Sequence, residues 1–242
     1  MTRLAIITGT SRGLGQALAA QLSAQGWHVA GLSRQAIEPG DVAVDLARPA
    51  MLAPAFDAAV RGAGPAPLTG LLVVHNAAAI EPIGPTAQQP TEAIEAALAV
   101  NLTAGVLLFA LATARFQSLP GRKVLAQVSS GAALRPHAGL SLYAAAKAGL
   151  EQHLRVLAVE QAMQPQPFTA VIVDPGAMDT AMQATLRGAP PTALPGAAEL
   201  AQRQRGGQLT APDAVAAWAA ALLQSPALRG GERYHLRDGL PA

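Results

Sequence analysis

Arg3-Leu-Ala-Ile-Ile-Thr-Gly-Thr-Ser-Arg-Gly-Leu-Gly15 is the stretch on which the fold turns. Its apolar run has no alternation, which reads as a strand covered on both faces. The run empties into a loop with glycines at 9, 13 and 15, and a helical pattern follows to about residue 25. Strand, glycine turn and helix in that order predict a phosphate cradle. One glycine permits the turn, and the others let the backbone and the positive helix N-terminus come close to a pyrophosphate. Ser11, Arg12 and Leu14 share the loop with Gly9, Gly13 and Gly15. A glycine-rich turn alone is an ordinary loop, so the flanking strand and helix carry the reading.

Outward from this unit, residues 27–33 predict a second strand and residues 41–45 a short third. Residues 34–40 are too few for the crossover of about a dozen residues that parallel strands need, so the helix usual there is reduced to a turn broken at Pro39-Gly40. Residues 49–62 predict a weak helix. Leu71-Leu-Val-Val-His-Asn76 predicts a fourth strand with Asn76 and Ala77 at its carboxyl end. One long helix is predicted over residues 91–116, a fifth strand over 123–130, a helix over 141–164, and a sixth strand over 168–174 closing at Pro175-Gly176. Residues 177–210 lose any strong period and fill with glycine and proline, which predicts a flexible excursion long enough to be a lid. A helix over 212–223 and a strand over 232–236 follow. This alternation predicts an α/β fold: one domain over residues 1–242, a doubly wound parallel sheet with helices on both faces and no internal repeat.

At 242 residues and 51% hydrophobic, the chain suits one domain with a sizeable core. Charged residues are 13% of it, and a net charge of +2 is too small and too scattered for a nucleic-acid surface. The absence of cysteine excludes disulfides and thiolate metal sites, and no metal is expected. The N-terminal apolar run ends in the glycine turn and not in a cleavage site, while the most apolar internal stretch, residues 102–114, is shorter than a bilayer span. The expectation is a cytoplasmic protein with no membrane partner.

Chemistry concentrates between Ser129 and Lys147. Tyr143 and Lys147 are four apart in an alanine-rich helical run, so they share a face and a cation stands beside a phenol. Lys147 is therefore expected to bring the phenol below its ordinary pKa of about 10. Ser130 ends the fifth strand, where its hydroxyl can bind a substrate oxygen. Taken singly, a helix lysine reads as solvated and a tyrosine as packing. Together, Ser130, Tyr143 and Lys147 resemble the catalytic signature of the short-chain dehydrogenase/reductase family. The chain has only two tyrosines, Tyr143 and Tyr234, so a phenolic acid has few other places to be.

The resemblance runs along nearly the whole chain through the glycine loop, Asp45, Asn76-Ala-Ala, Asn101, Ser130, Tyr143, Lys147, Pro175-Gly176 and Thr180. It implies a Rossmann-type sheet of about seven strands with NADP(H) at the strands' carboxyl ends. It also implies that Tyr143 donates a proton to the carbonyl being reduced and that Ser130 holds its oxygen. Lys147 would bind the nicotinamide ribose and lower the tyrosine's pKa, and Asn101 would support a water leading to Lys147. Cofactor contacts would come from the glycine loop, Arg34, Asp45, Leu46, Asn76, Ala77, Tyr143, Lys147, Pro175, Gly176 and Thr180. Asp45 has a second reading as a turn or helix-cap residue. Arg34 follows the second strand, where NAD users carry an acid, and Arg12 can reach the same 2′-phosphate; the bland alternative for both is a solvated arginine. Two departures stand out. Ala78 replaces the family's glycine and tightens the space near the cofactor. His75 replaces an asparagine, and its place at the end of a buried strand favours a structural histidine over a catalytic one.

Residues 76–84, Ser130-Gly-Ala-Ala and residues 174–183 resemble sepiapterin reductases and the related bacterial benzil reductases. This implies an NADPH-dependent carbonyl reductase whose partner is a small carbonyl compound, first a vicinal diketone and in the alternative a pterin. A pterin would need a carboxylate, with Glu81, Asp179 and Asp238 as candidates. The expected pocket is Ile80, Glu81, Ile83, Leu134, Ala177, Met178 and Met182. A reading from another class, an NADP(H)-sensing protein without turnover, gives no reason to keep Asn101, Ser130, Tyr143 and Lys147 together. The helices from residues 91 and 141 correspond to those that commonly form a four-helix interface in the family, which implies a homo-oligomer, dimer or tetramer.

Overall fold

The computed structural model describes residues 1–241. The strands are β1 Thr2–Thr8, β2 His28–Ser33, β3 Val42–Ala43, β4 Leu68–His75, β5 Arg122–Val128, β6 Thr169–Asp174 and β7 Arg233–His235. They form one parallel sheet in the order β3-β2-β1-β4-β5-β6-β7. The order reverses direction between β1 and β4, and open α/β sheets place ligands at the carboxyl side of such a switch point. The helices are α1 Gly13–Ala24, α2 Leu52–Gly62, α3 Thr91–Leu98, α4 Ala104–Phe116, α5 Ser141–Ala162, α6 Ala181–Gly188, α7 Ala197–Arg205 and α8 Pro212–Gln224.

The unbroken apolar runs are explained by two cores. Leu4 and Ile6 of β1 face one side with Phe56 of α2, Phe109 of α4 and Leu150 and Leu154 of α5. Ala5 and Ile7 face the other with Leu18 and Leu22 of α1 and Val215, Ala219 and Leu223 of α8. Each such large side chain contributes about 1.5–3 kcal/mol by leaving water. The sheet is thus covered on both faces, and only its strand ends remain to build a site.

The connection from β2 to β3 has no helix, as its length requires. The carboxylate of Asp41 stands in for one: Oδ1 accepts the N–H of Gly31 at 2.9 Å, and Oδ2 accepts those of Ile37 and Glu38 at 3.1 Å each. Another charged anchor is Lys123, buried on β5, whose Nζ donates to the carbonyls of Gln117 and Leu119 at 2.8 Å and of Gln166 at 2.9 Å. It fixes the chain just past α4 to the start of β6.

Three expectations are corrected. The single helix over residues 91–116 is interrupted by a π-turn, Ala99–Thr103, which inserts an extra residue in the turn that carries Asn101. The same 26-residue stretch is long and apolar enough to cross a membrane by length and composition, which residues 102–114 alone did not suggest; 39% of its most apolar window is buried in the core. The expected flexible excursion over residues 177–210 instead folds into α6 and α7. It is clasped at its base, where Thr210 N donates to Ala177 O at 3.0 Å and Asp179 N to Thr210 O at 3.1 Å.

Candidate active site

The carboxyl ends of β1, β4, β5 and β6, roofed by α6 and α7, enclose a cleft of about 1440 Å³. Its floor is the glycine loop. Gly9 has φ +76°, and a Cβ there would lie 2.8 Å from Ala77 Cα. At Gly15 a Cβ would lie 2.1 Å from Gly9 O, so the loop closes only without side chains at both places. Asn76 stitches β4 to this loop through Nδ2, which donates to Thr8 O at 3.0 Å and Gly9 O at 3.2 Å. Helix α1 starts at Gly13 with no side chain capping its first N–H groups. Uncapped helix amides above a loop that carries no side chain at Gly9, Gly13 and Gly15 suit an anionic phosphate. Across from Gly13, Thr180 caps α6, its Oγ1 accepting from Gln183 N at 3.4 Å. Ser11, Arg12, Leu14, Arg34, Leu46, Ala77, Pro175 and Gly176 also line the cleft, so the residues fit a dinucleotide.

Asp45 lines the cleft while its Oδ1 accepts the N–H of Ala47 at 3.1 Å and its Oδ2 sits 3.8 Å from Arg48 Nε, so the turn reading is realised too. Arg12 and Arg34 line the cleft near the ends of β1 and β2, and the residue directly after β2 is Arg34, not an acid.

Ser130 and α5 form the opposite wall. Ser130 has extended backbone, its Oγ accepts the N–H of Ala132 at 3.2 Å, and it lines the cleft together with Tyr143. Lys147 is buried, with Nζ 2.7 Å from the carbonyl of Val128 to which it donates and 5.6 Å from the centre of the Tyr143 ring. Burial pushes Tyr143 up to about 12; the Ser130 hydroxyl opposes this and the Asp174 charge adds to it. Burial also brings Lys147 down to about 8. The expectation that the phenol falls below its ordinary pKa is therefore corrected: desolvation outweighs the opposing Ser130 hydroxyl.

Asn101 is fully buried and does not line the cleft. Its amide is spent on one partner, Oδ1 accepting from Ala79 N at 3.0 Å and Nδ2 donating to Ala79 O at 2.7 Å. It holds the loop after β4 in place. His75 is likewise buried. Thr8 Oγ1 accepts the N–H groups of Asn76 and Ala77 at 3.0 Å each, so its own proton goes to His75 Nδ1 at 3.2 Å. His75 must then be neutral at Nδ1. Burial first and the Lys147 charge second bring its pKa down to about 3.

The substrate side is apolar. Tyr143 packs in one cluster with Ile80, Ala132, Leu140, Leu186 and Leu194, bordered by Ile83 and Met182. Ala177, Met178 and Glu81 line the same cleft. Leu134 does not: the short turn Gly131–Ala133 sends Ala132 inward and leaves Leu134 63% exposed. Of the three candidate carboxylates only Glu81 reaches the cleft; Asp179 pairs with Arg187 at 3.7 Å and Asp238 belongs to the turn after β7. Leu186 and Leu194 escaped the sequence reading, although Met182 and Leu186 stand four apart, the one helical signal in that stretch.

A family model for short chain dehydrogenase matches residues 3–190. Benzil reductase ((S)-benzoin forming) of Bacillus subtilis (strain 168) is 31% identical over 242 residues, spanning 98% of this chain and 99% of its own. Among solved structures, the KRED1-Pglu enzyme superposes with a TM-score of 0.83 at 26% identity, covering 96% of this chain and 100% of that one. A short chain dehydrogenase from Burkholderia cenocepacia J2315 in complex with NADP gives a TM-score of 0.76 at 29% identity, covering 96% and 95%. A glycine cradle at the switch point of the sheet, a matching family model and a relative aligned end to end leave one assignment: the chain belongs to the short chain dehydrogenase family of oxidoreductases, in the part of it that holds the benzil reductases.

Proposed function

We propose that the protein is an NADPH-dependent carbonyl reductase acting on a compact vicinal diketone. The observation that carries this is the double placement of Tyr143: its ring belongs to the apolar pocket, and it lines the same cleft as Ser130, whose hydroxyl favours the phenolate. A proton donor thus stands at the one polar point of an otherwise apolar wall. NADPH, held by the glycine loop, Asn76 and Thr180, would supply hydride to the carbonyl carbon. Ser130 Oγ donates a hydrogen bond to the carbonyl oxygen, and Tyr143 Oη gives that oxygen its proton. A phenol held at about 12 keeps this proton at neutral pH until an alkoxide, a far stronger base, develops beside it. Lys147 supplies positive charge close to the phenolate left behind. Asn101 acts at one remove by fixing Ala79 and the loop that faces them.

The preference for NADPH is supported by Arg12 and Arg34, two guanidinium groups, the second standing directly after β2 in place of an acid. The diketone is supported by the apolar pocket and by the activity named for the Bacillus subtilis relative. A pterin is the second reading because Glu81 lines the cleft; Glu199, the other acid on that side, is held by Arg203 at 2.7 Å. We extend the proposal to a dimer or tetramer through α4 and α5, since Val156, Val159 and Met163 lie exposed along α5 and its end. Turnover of benzil and of sepiapterin with NADPH and NADH tests the reading. Benzil with NADPH is expected to be the best pair, and Tyr143→Phe is expected to lower its turnover by about 10²–10⁴-fold. Equal efficiency with NADH, far better reduction of sepiapterin, or a phenylalanine variant with near-native turnover overturns the corresponding part. Light scattering giving a monomer mass at micromolar concentration overturns the assembly.

A further inference from the structure

Behind the Ser130–Tyr143 wall lies a cluster of charges that the reaction just described does not use. Glu151 is on α5, four residues past Lys147 and eight past Tyr143, and is 1% exposed at its side chain. One of its oxygens, Oε1, accepts from Ser129 Oγ at 2.6 Å; the other, Oε2, accepts from Arg155 at 2.9 Å. Asp174, 5% exposed at its side chain, ends β6, and its Oδ1 accepts from Gly176 N at 3.0 Å. Two buried carboxylates from different elements converge on one group, the guanidinium of Arg233 on β7. Its Nη1 pairs with Glu151 Oε1, and its Nη2 donates to Asp174 Oδ2 at 2.6 Å and to the backbone carbonyl of Ser130 at 3.0 Å. The sheet makes this possible: Arg233 stands opposite Ile172 in register, so it projects on the same face as Asp174 two residues on.

We propose that Arg233 is a positioning residue for the Ser130–Tyr143 pair: its single guanidinium ties the ends of β5 and β6 to α5 and offsets the two carboxylates buried behind Ser130. The proposal rests on the reductase reading only in taking Tyr143 as the proton donor. Two separable effects follow. The planar fork hydrogen-bonds two acceptors through Nη2 while Nη1 faces the Glu151 carboxylate, an arrangement an ammonium cannot reproduce. The positive charge screens Asp174 from Tyr143, where an unscreened carboxylate disfavours the phenolate. Around the guanidinium stand Glu151 of α5, Asp174 of β6 and Arg135 of the loop after Ser130, with His235 Nε2 of β7 3.7 Å from Asp174 Oδ2; Lys147 of α5 stands by the phenol and the Asp174 charge acts on it.

The test compares Arg233→Lys, Arg233→Met, Asp174→Asn and the Arg233→Met/Asp174→Asn pair with the wild type. One arm reads kcat and KM for benzil and NADPH. The other reads tyrosinate absorbance after a rapid pH jump on the protein without substrate, with Tyr143→Phe identifying the contribution of Tyr234. Arg233→Lys is expected to lower kcat by about 10–100-fold through lost geometry, with KM for NADPH within about twofold and the Tyr143 midpoint unmoved. Arg233→Met is expected to lower kcat as much and to raise the midpoint, and adding Asp174→Asn is expected to bring the midpoint back without restoring kcat. Asp174→Asn alone lowers the midpoint, which decides the electrostatic part if Arg233→Met does not fold. Native kcat in Arg233→Lys overturns the positioning role, as does a loss of kcat matched by an equal loss of NADPH affinity. A midpoint unmoved in both Arg233→Met and Asp174→Asn overturns the screening. If the wild type reduces no carbonyl compound, the reductase reading fails by itself, and the tyrosinate arm still decides the screening.

Discussion

Acidification from pH 7 to pH 5 is expected to weaken the fold through His75. In the unfolded chain this imidazole takes a proton near its ordinary pKa of 6.5, whereas in the fold burial and the Lys147 charge hold it to about 3. Between these values the unfolded state binds the extra proton and the native state does not, so the stabilisation is complete above about pH 6.5 and is lost as pH falls. The slope is about 1.4 kcal/mol per pH unit, which gives about 2 kcal/mol at pH 5 and on the order of 5 kcal/mol if the fold survives to pH 3. The structural cause is specific. His75 Nδ1 must accept the Thr8 proton because Thr8 Oγ1 is already the acceptor for Asn76 and Ala77, and protonation ends that bond. Denaturant titrations at pH 7, 6 and 5 on the wild type and on His75→Asn measure the effect, since asparagine does not titrate and the other acid-sensitive groups are common to both. The wild type is expected to lose about 2 kcal/mol more than the variant between pH 7 and pH 5. Stability curves that run parallel in the two proteins would refute the tautomer, the burial argument, or both.

Gly15→Ala drives a Cβ to 2.1 Å from Gly9 O and is expected to weaken NADPH binding by about 100-fold, read by fluorescence titration, from strain on the order of 3 kcal/mol. Lys123→Met leaves the carbonyls of Gln117, Leu119 and Gln166 without their shared donor, and a fall in unfolding free energy of about 3 kcal/mol is expected in urea. Gly139, at φ +85°, faces Ala193 O at 2.0 Å from where a Cβ would be, so Gly139→Ala is expected to push the α6–α7 segment off its seat. KM for the carbonyl substrate should then rise while NADPH affinity stays level; the reverse pattern would sink this account.

The glycine loop was legible because each part of it is local: an apolar strand, three glycines and a helix start lie within thirteen residues. The spacing of Tyr143 and Lys147 was legible for the same reason, being fixed by one helix. What escaped depends on the third dimension. A run of alanine and leucine fits a π-turn as well as an α-turn, so nothing in residues 99–103 announced the extra residue at Asn101. The sign of the Tyr143 shift hangs on burial, and burial is decided by Ile80, Leu140, Leu186 and Leu194, which come from distant segments. Leu134 was misplaced because a short turn reverses which side chains point inward over two residues. Arg233, Glu151 and Asp174 carry no local pattern at all; only strand register and one helix face bring them together.

The clasp at Ala177, Asp179 and Thr210 gives the roof of the cleft a common root: the chain leaves the sheet and re-enters at the same place. Replacing what lies between these residues therefore leaves the span to be closed unchanged, and loop-closure entropy rises only slowly with the length inserted. The glycine loop, Tyr143 itself and the charged cluster behind it lie outside this segment, whereas Thr180, Leu186 and Leu194 lie within it. The roof is a cassette in the engineering sense, exchangeable as a piece at one root, provided that a graft keeps a hydroxyl at position 180 and apolar cover over Tyr143 at positions 186 and 194.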